Sequence, residues 1–86
     1  MLIQITAEHI RHGKKGSPGA CPIALAIMEK CYDVYVATDY LQVKKQPGGY
    51  FTDMQFPKAV ETFIQEFDAG KEVSPFSFTL RAKKEG

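Results

Sequence analysis

The sequence predicts an α+β protein, a two-layer fold in which a mostly antiparallel four- or five-stranded sheet has its helices packed on one face. Three observations lead there. Phe76, Phe78, Leu80 and Ala82 alternate with Ser77, Thr79 and Arg81, the period of a strand with one buried face. Val60, Phe63, Ile64 and Phe67 recur at i, i+3, i+4 and i+7, an amphipathic helical stripe. Between them, the β-rich stretch 40–52 is broken by Gln46-Pro47-Gly48-Gly49, as a hairpin is.

The elements follow in order. Leu2 to Thr6 opens with Ile3 and Ile5 and reads as a strand. Thr6 then suits an N-cap for a short helix over Ala7 to His12, with Glu8 in its first turn and Gly13 as its stop. Residues 13–20 hold three glycines and a proline and form a loop. Pro22 fits the first position of a second helix, which is apolar on every side from Ile23 to Met28 and is expected to run, buried, to about Tyr32. Residues 34–37 and 40–45 are β-rich, either one strand with an irregularity at Thr38-Asp39 or two. Tyr50 to Thr52 resumes the sheet. Pro57 opens the last helix, Gly70 closes it, and residues 83–86 make a frayed tail.

At 86 residues this is a single domain, 1–86. Hydrophobic residues make up 44% and charged residues 24%, with a formal net charge of +1. That balance excludes bulk nucleic-acid binding by charge, an acidic nucleic-acid mimic and a disordered tail. The longest apolar run, residues 20–28, is interrupted by a proline and is far short of the roughly 20 residues of a membrane span. The first ten residues lack the basic start and apolar core of a signal peptide. Cys21 and Cys31, ten positions apart on one expected helix, would stand about 15 Å apart, too far for a disulfide. Two free thiols and a reducing, cytoplasmic setting are expected. A chain this small buries only roughly 60% of its unfolded surface, which makes a homo-oligomer plausible. The ten aromatic residues, six Phe and four Tyr, are expected to help fill the core.

Residues 9–22 are the most informative stretch. They hold His9, Arg11, His12, Lys14 and Lys15, with no carboxylate between Glu8 and Glu29. A glycine-rich loop leading into a helix N-terminus offers free N–H groups and the positive end of a dipole to an anion. Gly16, Ser17 and Gly19 would let the backbone approach a phosphate, and Tyr50, on the hairpin tip, would stack on a base. The plain alternative is that these glycines only make turns and the lysines are solvated. Neither Gly-Lys-Ser/Thr nor Gly-x-Gly-x-x-Gly occurs, so no cofactor is expected. Cys21 at the helix start is a candidate nucleophile with His9 or His12 as base, against the simpler role of a small buried residue. A metal site from His9, His12 and Cys21 lacks a fourth ligand, and none is expected. Glu61, Glu66, Asp68 and Glu72 read as a solvated face.

The blocks His9-Ile10, Gly13, Gly16 and Cys21-Pro22-Ile23-Ala24-Leu25-Ala26 resemble a recurring pattern in an uncharacterised family of short bacteriophage proteins. Pro57, Val60, Phe63, Ile64, Phe67-Asp68-Ala69-Gly70, Val73, Pro75-Phe76 and Phe78 continue the resemblance, which covers nearly the whole chain. Some relatives carry a further cysteine in the glycine loop, absent here. The resemblance implies work in the host bacterial cytoplasm and no particular activity.

Three functions follow as expectations. The first is a non-enzymatic protein that binds an anionic small molecule, such as a nucleotide-type host immune signal, and sequesters it. Its ligand-binding residues would be His9, Arg11, His12, Lys14, Lys15, Gly16, Ser17, Gly19, Cys21 and Tyr50. The second is a protein that binds and inhibits a host protein through its sheet or the Pro47–Phe51 tip. The third is a cysteine-dependent enzyme built on Cys21.

Overall fold

Alternation sets the sheets. The computed structural model describes residues 1–37 and 40–82, and its strands bury Ile3, Ile5, Val34, Val36, Leu41, Val43, Met54 and Phe78 while the residues between them face outward. The described elements are β1 (Leu2–Ile5), α1 (Ala7–His12), α2 (Pro22–Met28), β2 (Asp33–Val36), β3 (Leu41–Lys44), β4 (Thr52–Gln55), α3 (Lys58–Asp68), β5 (Phe76–Thr79) and β6 (Arg81–Ala82). The expected irregularity at Thr38-Asp39 and the tail 83–86 lie outside the described residues.

Every strand pair is antiparallel, and the fold is α+β. The strands divide into a four-stranded sheet, β2-β3-β4-β6, and a two-stranded one, β1-β5. The expected strand over 76–82 is therefore split, and the break falls at Leu80. The Leu80 N–H donates to the Met1 carbonyl at 2.8 Å and its carbonyl accepts from the Met1 nitrogen at 3.1 Å, extending the pairing with β1. The next two residues pair with Met54 and Gln55 of β4. One C-terminal segment thus joins both sheets.

The helices cover the apolar face. Val60, Phe63, Ile64 and Phe67 of α3 are all buried, so the stripe read from spacing is the packed one. Ile23, Ala24 and Ile27 of α2 are fully enclosed. Burying one such isoleucine side chain contributes about 1.5–3 kcal/mol. No buried side chain among the described residues is polar or charged.

The second helix is shorter than expected, ending at Met28 rather than near Tyr32. The Glu29 and Lys30 N–H groups bond three residues back, to Ala26 and Ile27, and the Tyr32 N–H is taken by the Lys44 carbonyl at 2.7 Å. The Cys31 N–H still reaches back to the Ile27 carbonyl at 3.0 Å, and sheet pairing captures the chain at Tyr32. β4 likewise starts at Thr52, two residues later than Tyr50, because the turn closed by the Gly49 N–H on the Gln46 carbonyl leaves Tyr50 outside the ladder. Gly13 ends α1 without a left-handed turn (φ −68°). A Cβ there would stand 2.5 Å from the Pro22 ring, so close packing of α1's end on α2's start is what requires glycine. No helix among the described residues is long and apolar enough to cross a membrane.

Candidate functional site

Three loop contacts decide the geometry of residues 13–21. The Gly16 N–H donates to Asp68 Oδ1 at 3.0 Å, tying the loop to the last turn of α3. The Pro18 carbonyl accepts the Val36 N–H at 2.9 Å, tying it to the outer edge of β2. The Lys14 N–H reaches the Ala20 carbonyl at 2.8 Å, and the Ala20 and Cys21 N–H groups both reach the Ser17 carbonyl, closing the loop on itself. Gly16 adopts φ 67°, a conformation that aims its amide at Asp68 with no Cβ penalty.

Of the amides on which the anion reading rested, these bonds use that of Gly16, together with those of Lys14, Ala20 and Cys21. Asp68 supplies the negative charge where a phosphate was expected. Lys15 Nζ lies 3.1 Å from where a side chain on Gly70 would begin, against the C-terminal end of α3, where a cation is favoured by the helix dipole. Lys14 is exposed. Helix α2 begins with Cys21 Sγ accepting the Ala24 N–H at 3.4 Å, so the thiol is the cap.

The remaining candidate residues are dispersed. Arg11 and His12 lie on the exposed side of α1 and both pair with Glu8, at 3.0 and 3.4 Å. His9 is half-buried and committed at both nitrogens. Its Nδ1 accepts the Thr6 N–H at 3.0 Å, the return half of a capping box, and its Nε2 meets Glu29 Oε1. Because Nδ1 accepts, the neutral ring carries its proton on Nε2, toward Glu29. Thr6, His9, Glu29 and Lys30 with Gln4 and Ala26 line a small hollow of about 110 Å³. The spacing placed no carboxylate to orient His9, yet Glu29, twenty residues on, does so.

Gly16, Ser17 and Cys21 do meet. They line a cavity of about 250 Å³ with Pro18, Tyr35, Val36, Ala37, Ile64 and Asp68. Gly19 is exposed and does not line it, and Tyr50 projects from the hairpin tip, 92% exposed. Burial, and to a lesser degree the nearby Asp68 carboxylate, push the Cys21 thiol up, while the amides of Ala24 and Ile23 act the other way. A raised thiol is protonated and a poor nucleophile at neutral pH. Cys31 is also raised, chiefly by burial. Both cysteines are free thiols. Among the described residues no group of three or more His, Cys, Asp or Glu side chains is placed to hold a metal ion.

The aromatic residues correct another expectation. All four tyrosines, Tyr32, Tyr35, Tyr40 and Tyr50, are exposed, from 42% to 92%, and Phe51 is 44% exposed. They do not fill the core; five phenylalanines and the aliphatic residues do. Pairing of Tyr35 with Gln42 and of Gln42 with Asp53 places these three in a row on the outer sheet face. Lys44, opposite Asp33, extends its Nζ to 5.6 Å from the Phe51 ring centroid, a cation–π contact on the same face. Tyr32 and Tyr50 are exposed just before β2 and β4, and strand parity does not put them on this face. The signal lay in the strand parity: once Val34, Val36, Leu41 and Val43 are inward, Tyr35 and Tyr40 must point out.

The β2 edge of this face is blunted. At β2, the Val34 N–H is held by Asp33 Oδ1 at 2.8 Å and the Val36 N–H by Pro18. In the separate two-stranded sheet, Lys30 Nζ donates to the Leu2 carbonyl of β1 at 2.7 Å. Such contacts discourage strand addition. Comparison of the chain with protein-family models, curated proteins and solved structures finds no match.

Proposed function

We propose that the protein is a non-enzymatic interaction module that docks the outer face of β2-β3-β4, face-on, against a partner protein. The carrying observation is that every tyrosine and Phe51 stand exposed in one segment, residues 32–51, with Tyr35, Tyr40 and Phe51 on the outer sheet face by strand parity. Tyrosine-rich, mixed-charge surfaces are the composition of protein interfaces and of their hot spots. Charge supports a protein over a nucleic acid: Lys44 and Lys45 are offset locally by Asp33 and Asp53. The blunted β2 edge supports face-on docking over strand addition there. The resemblance to short bacteriophage proteins supports a host protein as partner, with inhibition as the outcome, in the bacterial cytoplasm.

The test compares the wild-type chain with a Tyr35→Ser, Phe51→Ser variant as bait in a bacterial lysate, followed by cross-linking from a photoreactive group at Tyr35. A stoichiometric partner that the variant loses and that cross-links at position 35 supports the reading. A partner retained by the variant, or a cross-link only to a second copy of the chain, overturns it.

A nucleotide-type ligand is the second reading, favoured by the 250 Å³ cavity that brings Gly16, Ser17 and Cys21 together beside Lys15. It requires an anion to displace Asp68 from the Gly16 amide. Calorimetric titration with cyclic and ADP-ribose-type nucleotides would then show tighter binding to Asp68→Asn than to wild type; absence of binding to both rejects it.

A further inference from the structure

Another cavity among the described residues lies away from both places discussed above. It is a groove of about 490 Å³ between α3 and the returning segment 72–76, lined by Ala59, Thr62, Phe63, Glu66, Glu72, Val73, Ser74 and Phe76. We propose that it binds a small organic cation, an ammonium group carried on an apolar body.

The floor accounts for the apolar body. Phe63 and Phe76 have ring centroids 5.0 Å apart, and Phe76 continues to Phe78 at 5.8 Å, so the floor is the upper surface of the packed aromatic core rather than a loose loop. Phe63 and Phe78 are buried, and Phe76 and Val73 are half-buried, leaving apolar surface open to the groove. Ala59 and Thr62 are short, which keeps the α3 wall low. The volume falls within the usual range for small-molecule sites.

The rim accounts for the charge. Glu66 and Glu72 both line the groove, and no lysine, arginine or histidine does. The Lys71 N–H donates to the Glu66 carbonyl at 2.9 Å, which brings the start of the return segment back against the Glu66 turn. Among the described residues neither carboxylate is in an ion pair, whereas Glu8 and Glu29 are. Two carboxylates and two aromatic rings lining one groove attract a cation twice, by Coulomb interaction and through the ring quadrupole. An anion is repelled there, and a neutral molecule gains only the apolar contact.

The groove is made from α3 and the chain after it, so its occupancy is independent of the outer sheet face. The experiment is an NMR titration of the labelled protein with phenethylammonium, with 2-phenylethanol as a neutral isostere. Expected are saturable shifts centred on Phe63, Val73 and Phe76, with tighter binding of the ammonium than of the alcohol. Glu66→Gln with Glu72→Gln should weaken the ammonium roughly threefold to tenfold and leave the alcohol unchanged. Thr62→Lys, which sets an ammonium on the groove wall, should displace the probe. Equal binding of the two probes, shifts elsewhere, indifference to the Gln pair, or no saturable shift would each overturn the proposal. So would a sedimenting dimer that Phe76→Glu dissociates, which would mean that a second copy fills the groove.

Discussion

Residues 13–22 and residues 32–51 treat their polar and aromatic groups in opposite ways. The glycine loop turns inward: its amides reach Asp68, Ala20 and Ser17, its Pro18 carbonyl reaches β2, and the thiol that follows caps α2. The tyrosine segment turns outward, and its strands keep only valine and leucine for the core. A rich inventory of donors and cations can therefore be structural, while residues usually assigned to packing form the open surface. What separates the two is whether nearby backbone already satisfies the groups in question, which depends on tertiary neighbours distant in sequence.

The sharpest way to break this contrast is to strike the interior side of the loop region. Ile27→Ala, at a fully enclosed position of α2, should cost about 2–5 kcal/mol in chemical denaturation. Gly13→Ala should follow at about 1–3 kcal/mol, because its Cβ collides with the Pro22 ring; a neutral result would mean that the α1–α2 contact yields easily. Asp68→Ala should remove about 0.5–1.5 kcal/mol and raise hydrogen exchange at the Gly16 amide, leaving amides of the outer sheet unaffected. Tyr35→Ser with Phe51→Ser should change stability by no more than about 0.5 kcal/mol per site, since both are exposed, while abolishing partner capture.

The buried thiols add a pH dependence. Cys21 and Cys31 are raised above the ordinary value of 9.0 in the folded chain, so the folded state holds these protons more tightly than the unfolded one. Their stabilising contribution is complete below pH 9.0 and is lost as pH rises through the folded values. Denaturation curves should therefore weaken on the alkaline side, and Cys21→Ala should lessen that slope. Alkylation of Cys21 at neutral pH should be slow until the chain is unfolded.

Much of the fold was legible because it rests on local pattern. Thr6 as N-cap, the Val60–Phe67 stripe and the alternation through Phe78 each follow from residues within one or two turns of each other. The end of α2 was not, because the Tyr32 amide is claimed by Lys44 from another strand. Nor was the division into two sheets, which depends on which neighbour Leu80 and Arg81 find. In the candidate site, the meeting of Gly16, Ser17 and Cys21 was readable from adjacency. The partners that decide their chemistry, Asp68 for Gly16 and Glu29 for His9, are 52 and 20 positions away and carry no local signature.

The joint at Leu80 has a consequence for how the molecule is made. β1 is synthesised before the other strands described, yet its strand partner is β5, and Met1 and Leu80 are 79 positions apart. Ile3 and Ile5 must stay unpaired until the far segment has been synthesised, so closing this ladder carries the largest loop entropy in the chain and belongs late in folding. During that interval the nascent β1 is a sticky, unsatisfied strand, and translation arrested before residue 76 would yield a product prone to aggregate.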